Sequence, residues 1–124
     1  MSTTPQARSV LVTGAAGLIG GRVVAELAGD RRRGEIERIT AVDVRDPPPG
    51  SRASGVEYLR KDIRDPDLER ELCERDVDTV VHLAAVVTPG PDSSRDLEYS
   101  IDVLGTENVL ACAIGAGARQ LVYT

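Results

Sequence analysis

A glycine-spaced turn between an apolar run and a helix-forming run constrains this chain most. The segment VLVTGAAGLIGG occupies residues 10–21, with glycines at Gly14, Gly17 and Gly20 in the pattern TGxxGxxG. A strand that passes through such a turn into a helix can hold a pyrophosphate, because the helix N-terminus offers free N–H groups and a partial positive charge. Gly14 permits the sharp turn, Gly17 leaves room for phosphate oxygens, and Gly20 permits close packing of the helix. The alternative is an ordinary glycine-rich turn without a ligand.

A carboxylate follows at the end of the second apolar run. Residues 38–44 read RITAVDV, and Asp43 comes about twenty residues after the glycine turn. A carboxylate there accepts hydrogen bonds from both hydroxyls of an adenosine ribose and repels a 2′-phosphate, which favours NAD over NADP. Arg45 weakens that preference, because a guanidinium can receive a 2′-phosphate, and Asp46 partly offsets it. The alternative is a strand-end carboxylate that merely faces solvent.

Composition limits the classes of protein to which the chain can belong. Its 124 residues suit one domain, and 41% hydrophobic residues without Phe or Trp predict an aliphatic core. The net charge of −5 argues against a nucleic-acid partner. The sequence contains neither an apolar stretch of membrane-spanning length nor a secretory signal, so we expect a cytoplasmic protein without a membrane partner. Cys73 and Cys112 are isolated and predict neither a disulfide nor a metal site.

Strand and helix patterns alternate along the chain. We predict strands at 9–13, 38–44, 56–59, 79–84 and from Gln120, and helices at 18–29, 66–75 and 97–116, with Asp65 as the N-cap of the second helix. Residues 46–55, DPPPGSRASG, predict a loop in place of one crossover helix. This alternation indicates an α/β fold, a doubly wound parallel sheet of Rossmann type with strand order 3-2-1-4-5. We expect 1–8 to be a disordered tail and 9–124 to be an incomplete NAD(P)-binding domain.

Five motifs occur in an order and at a spacing that resemble a known family. They are TGAAGLIG at 13–20, the acidic Asp43, KDIRD at 61–65, VVHLAA at 80–85 and VLGTENVLACA at 103–113. Together they resemble the N-terminal portion of the extended short-chain dehydrogenase/reductases, the NAD-dependent epimerase/dehydratase family. The resemblance covers nearly all of residues 9–124 but specifies no substrate.

The resemblance implies a set of cofactor-binding residues. These are Gly14, Gly17, Leu18, Ile19 and Gly20 around the pyrophosphate, Asp43 at the ribose, Asp62 and Ile63 at the adenine, and Ala84, Ala85 and Val86 where strand four ends. Asp62 also fits an ordinary turn before a helix. His82 is expected to pack structurally. Asp102 stands where the family usually has Asn, and an ionised carboxylate cannot donate as an amide can.

The resemblance also shows what the chain lacks. The family's chemistry uses a Ser or Thr beyond strand five and a Tyr-x-x-x-Lys pair, whereas Lys61 is the one lysine here and follows no tyrosine at that spacing. We therefore assign no catalytic residue and expect no turnover by the chain alone. It would be the NAD-binding part of an epimerase, dehydratase or dehydrogenase acting on a nucleotide sugar or hydroxysteroid-like alcohol. The alternatives are a non-catalytic dinucleotide sensor or an inactive fragment, and we expect self-association through an exposed strand five.

Overall fold

The computed structural model describes residues 8–85, 90–91 and 93–124. Its elements are, in chain order, β1 Ser9–Thr13, α1 Leu18–Arg32, β2 Arg38–Asp43, β3 Glu57–Arg60, α2 Leu68–Glu74, β4 Thr79–His82, α3 Arg95–Tyr99, a π-helical segment Ser100–Gly105, α4 Thr106–Gly115 and β5 Gln120–Tyr123. The strands of the described residues form one parallel sheet in the order β3-β2-β1-β4-β5. The predicted fold class and strand order are confirmed.

Both faces of the central strands are covered, as a parallel sheet requires. All five residues of β1 are buried, and successive side chains alternate between the two faces. Leu11 packs with residues of α2 and α4, whereas Val10 and Val12 pack against α1. The result is a largely aliphatic core in two layers, with Cys112 in one layer and Tyr58 packed against the other; neither Phe nor Trp occurs in the sequence.

The connection between β2 and β3 contains no helix in its described residues, 44–56, in agreement with the predicted loop. Tyr58 in β3 holds this connection to the sheet. Its hydroxyl accepts the Ala53 N–H at 2.7 Å, and the Arg52 guanidinium lies over its ring, 4.8 Å from the centroid. The proline-rich loop therefore has a defined attachment beside the end of β2.

The first two helices each differ from their predicted bounds by two residues or more at one end. The second helix begins at Leu68 because residues 65–67 form a turn ahead of it. In that turn the Asp65 carboxylate accepts the Asp67 N–H at 2.9 Å, and the Asp65 carbonyl accepts the Leu68 N–H at 3.1 Å. The first helix continues through Asp30 and ends at Arg32, beyond the predicted end at residue 29.

The predicted helix 97–116 is helical but not uniform. It begins at Arg95, where the Ser94 hydroxyl accepts the Leu97 N–H at 3.1 Å. The π-helical segment then separates α3 from α4, and the helix ends at Gly115. A π segment widens the helix by one residue per turn, so it changes which side chains face the sheet.

The sheet ends on an uncovered strand. All four residues of β5 are exposed, and within the described residues β5 pairs only with β4. No described helix combines the length and the apolar character needed to cross a membrane. The described residues also contain no cluster of three or more His, Cys, Asp or Glu side chains arranged to hold a metal ion.

Candidate dinucleotide-binding site

The three glycines of the turn have different steric environments. Gly14 has φ of +69°, and a Cβ there would lie 2.8 Å from the Ala84 backbone nitrogen. A Cβ on Gly20 would collide with the Gly14 carbonyl oxygen. At Gly17, by contrast, a Cβ would meet only the Gly14 carbonyl oxygen, at an ordinary 3.4 Å. The fold itself therefore requires glycine at positions 14 and 20, whereas a side chain at position 17 would extend into open space.

The turn delivers the N-terminus of α1 to the carboxyl edge of the sheet. The Gly21 N–H donates to the Gly17 carbonyl at 2.8 Å and makes the first bond of the helix. The N–H groups of Leu18, Ile19 and Gly20 precede that bond. No side chain in the described ranges caps this end, and Leu18 and Ile19 are exposed by 83% and 68%. This end of α1 thus presents open donors and the positive end of the helix dipole.

Asp43 joins the glycine turn to the end of β2. Its Oδ2 accepts the Ala16 N–H at 2.9 Å, and its Oδ1 accepts the Arg45 N–H at 3.1 Å. The Arg45 Nε lies 3.8 Å from the same Oδ1. Each oxygen retains a lone pair for a further donor. The bond to Ala16 is a role that sequence reasoning missed, because no local pattern links residues 27 positions apart.

Open space lies beside the turn and Asp43. A cleft of about 430 Å³ is bounded by the glycine turn, the outer side of α1 and the β2–β3 loop, including Arg22, Pro47, Ser51 and Tyr58. Asp43 and Arg45 line an adjoining small cavity with Tyr58. A ligand that crosses the turn therefore has room on the side of β2.

Asp62 and Ile63 lie next along this edge, because the Lys61 N–H donates to the Asp43 carbonyl at 3.0 Å. Hydrogen bonds from the Arg64 guanidinium hold the pKa of Asp62 below its usual value. Ile63 is 6% exposed, and its side chain belongs to the core beneath Gly105. Any contact of Ile63 with a ligand would therefore have to use its main chain.

A buried hydrogen-bond chain fixes the end of β4. The Thr13 hydroxyl oxygen accepts the N–H groups of Leu83 and Ala84 at 3.0 and 3.1 Å. Its proton is then directed to Nδ1 of His82, 2.7 Å away. His82 Nε2–H donates to the Thr106 hydroxyl at 2.8 Å.

His82 serves packing in this arrangement. It is 1% exposed, burial lowers its pKa, and its ring stacks on Tyr123 at a centroid distance of 5.7 Å. Of the residues expected to line a cofactor here, Ala84 is half-buried and Ala85 is exposed. Val86 lies outside the described residues.

Lys61 is committed to ion pairs. Its Nζ lies 2.8 Å from an oxygen of Asp67 and 3.6 Å from oxygens of Asp65 and Glu71. Hydrogen bonding to Asp67 raises its pKa. The one lysine of the chain therefore stabilises the approach to α2.

Known proteins resemble this chain over almost its whole length. The profile of the NAD dependent epimerase/dehydratase family matches residues 10–124. An L-arabinose 1-dehydrogenase (NAD(P)(+)) of Haloferax volcanii is 35% identical over 92% of this chain and 39% of its own length. A 3 beta-hydroxysteroid dehydrogenase/Delta 5-->4-isomerase of Vaccinia virus is 30% identical over 91% of this chain and 32% of its own length.

The solved structures include a similar fold with a bound dinucleotide. The Thermus thermophilus UDP-glucose 4-epimerase in complex with NAD is 30% identical, with a TM-score of 0.72, over 91% of this chain and 36% of that chain. The present chain thus spans between 32% and 39% of the lengths of these three relatives.

Proposed function

Because this chain belongs to the NAD-dependent epimerase/dehydratase family, we propose that it forms the NAD-binding portion of an epimerase, dehydratase or dehydrogenase. The observation that carries the proposal is the geometry around Gly17. A Cβ there meets no steric obstacle beyond ordinary contact, yet glycine leaves the space beside three open N–H groups free. A pyrophosphate fits this space, since it needs both close approach to the main chain and positive potential.

The remaining residues of the edge would hold the rest of the dinucleotide. The carboxylate of Asp43 accepts the adenosine ribose hydroxyls while it keeps its bond to Ala16. The Asp62 carboxylate accepts the adenine amine, and Ala84 and Ala85 lie along the nicotinamide side. When bound, NAD supplies a hydride acceptor. The chain's own residues bind and orient it.

The activities of these relatives support a substrate class for a complete enzyme. They are a pentose dehydrogenase, a hydroxysteroid dehydrogenase/isomerase and a UDP-glucose epimerase. Each acts on a sugar or steroid that carries an alcohol, and we propose a nucleotide sugar or a hydroxysteroid-like alcohol, oxidised at a carbinol carbon, as the substrate of the complete enzyme.

A second candidate function is dinucleotide binding without turnover by the chain itself. The engagement of Lys61 with Asp65, Asp67 and Glu71 favours it, because the chain then has no lysine free to lower the pKa of a tyrosine. NAD binding without steady reduction of NAD by a panel of nucleotide sugars and steroid alcohols would agree with this candidate.

Calorimetric titration of the chain with NAD and NADP tests the proposed function. Gly17→Val should abolish NAD binding and leave thermal unfolding nearly unchanged, because the valine occupies the open space. Gly29→Val is the matched control, since Gly29 lies far along α1 beside flexible arginine side chains. NAD binding by Gly17→Val at wild-type affinity would place the site elsewhere.

The same titration tests Asp43. Asp43→Asn removes the charge and one acceptor, so NAD affinity should fall about tenfold to a hundredfold. The preference for NAD over NADP should narrow, because repulsion of the 2′-phosphate disappears while Arg45 remains. Tighter binding of NADP than NAD by the wild type would instead make Arg45 the main determinant.

A further inference from the structure

Arg64 encloses the carboxylate of Asp62. Asp62 Oδ1 accepts two hydrogen bonds, from the Arg64 backbone N–H at 2.9 Å and from its Nε at 3.0 Å. Oδ2 accepts the Arg64 Nη2 at 2.6 Å. A carboxylate oxygen accepts about two hydrogen bonds, so Oδ1 is fully used and Oδ2 keeps one lone pair. The guanidinium thereby fixes both the orientation of the carboxylate and the position of its free acceptor site.

Arg64 is itself anchored to the helix that follows β4. Its Nη1 donates to the Ser100 hydroxyl at 3.0 Å, at the first residue of the π-helical segment. A planar guanidinium can make the bidentate contact to Asp62 and the contact to Ser100 at the same time. A lysine ammonium is a point charge and cannot reproduce this geometry.

Two more contacts fix the main chain on either side of Arg64. The Asn108 side-chain amide donates to the carbonyls of Ile63 and Asp65 at 2.7 and 2.9 Å. Gly105 approaches Ile63 so closely that a Cβ would lie 2.7 Å from Ile63 Cδ1. The segment that carries Asp62 is therefore held from its backbone and from its side chains by one helix.

We propose that Arg64 is a positioning residue that holds Asp62 so that the free lone pair of Oδ2 accepts the exocyclic amine of the cofactor's adenine. This inference rests on the proposed function, because it needs a dinucleotide bound across the glycine turn. The Asp62 carboxylate is a hydrogen-bond acceptor and therefore selects a base that presents an amine donor. Hypoxanthine presents a carbonyl oxygen in the same place, which a carboxylate repels.

The test compares equilibrium affinities for NAD and for nicotinamide hypoxanthine dinucleotide. The wild-type chain should prefer NAD by about tenfold, the value of one hydrogen bond to a charged group. Arg64→Ala should reduce that preference to about twofold, because only the backbone N–H of residue 64 then still holds the Asp62 carboxylate. Arg64→Lys should behave like Arg64→Ala, and Ser100→Ala should give an intermediate ratio.

Arg70→Ala is the matched control. Arg70 also makes a bidentate contact, to Asp67, but lies on the exposed side of α2. Its loss should leave the affinity ratio unchanged. Thermal unfolding of every variant separates a stability effect from a binding effect. A purely structural role of Arg64 would weaken the binding of both nucleotides equally.

The outcomes distinguish the two proposals. If the wild type binds neither nucleotide, both proposals fail. If it binds both equally, or if Arg64→Ala keeps or increases the preference for NAD, the role of Arg64 is wrong while the proposed function stands. An equal loss of both affinities in Arg64→Ala would also overturn the positioning role.

Discussion

The hydroxyl of Thr13 determines the tautomer of His82. Two backbone N–H groups occupy its lone pairs, so the hydroxyl proton can only be donated, and His82 Nδ1 is the acceptor. The remaining proton of a neutral imidazole is then on Nε2, where it donates to Thr106. A protonated imidazole would carry a proton on both nitrogens and would lose the bond to Thr13. Burial and hydrogen bonding therefore both favour the neutral form.

The burial of neutral His82 predicts that the stability of the fold depends on pH. Burial lowers the pKa of folded His82 from 6.5, so the unfolded chain binds a proton first as pH falls below 6.5. The free energy of unfolding should decrease with falling pH in that range, by at most about 1.4 kcal/mol per unit, until the folded pKa is reached. Denaturant unfolding at pH 7.5 and 5.5 measures the decrease.

His82→Gln provides the comparison, because a glutamine amide can also accept from Thr13 and donate to Thr106 without titrating. The wild type should lose more stability than this variant between the two pH values, by at most about 1.4 kcal/mol. Carboxylates titrate equally in both chains and cancel in the difference. Equal losses would mean that His82 does not couple folding to pH.

At the scale of elements, the proline-rich β2–β3 connection depends on Tyr58. Tyr58→Phe removes the acceptor of the Ala53 N–H but keeps the ring beneath Arg52. We expect a loss of about 1 kcal/mol in stability and faster tryptic cleavage after Arg52. Limited proteolysis followed by mass spectrometry measures the rate. Tyr99→Phe, at an exposed tyrosine in α3, should cleave like the wild type, and equal rates for both variants would contradict the attachment.

The elements themselves follow from the sequence, whereas their exact boundaries and contacts depend on distant residues. Alternating apolar runs and the glycine turn are local signals, and they predict the parallel sheet. The π-helical segment is not predicted, because the 3.6-residue spacing of apolar positions indicates only an α-helix. Ile63 lies in the polar run KDIRD, yet it is buried because Gly105 leaves room above it.

The candidate site likewise contains features that the sequence predicts and contacts that it does not. The glycines and Asp43 are predicted from spacing, since each lies at the end of a strand or the start of a helix. The hydrogen bond from Ala16 to Asp43 depends on where the folded chain places the side chains, and so do the hydrogen bonds from Arg64 to Asp62 and Ser100. The hydrogen bond from Arg64 to Ser100 joins residues 36 positions apart, which no local pattern reveals.

At the scale of the whole molecule, the last strand of the sheet and the end of α4 carry exposed apolar side chains. Leu121, Val122 and Tyr123 of β5 are exposed by 37%, 47% and 61%, and Ile114 of α4 by 71%. The far edge of β5 has no strand partner within the described residues. Unpaired N–H and C=O groups beside apolar side chains favour pairing with another chain. The net charge of −5 opposes association only weakly at physiological salt, because exposed charges are screened.

We therefore expect the 124-residue chain to associate through β5, with a mass that rises with concentration in size-exclusion chromatography with light scattering. Val122 lies opposite Val81 in the register and is half exposed. Val122→Lys places a charge on this edge and should shift the chain toward the monomer, because pairing would desolvate the ammonium. Val44→Lys is the matched control, since Val44 is 54% exposed at the other side of the sheet, beyond β2. A monomeric wild type at every concentration, or equal behaviour of the two lysine variants, would show that β5 is not the contact surface.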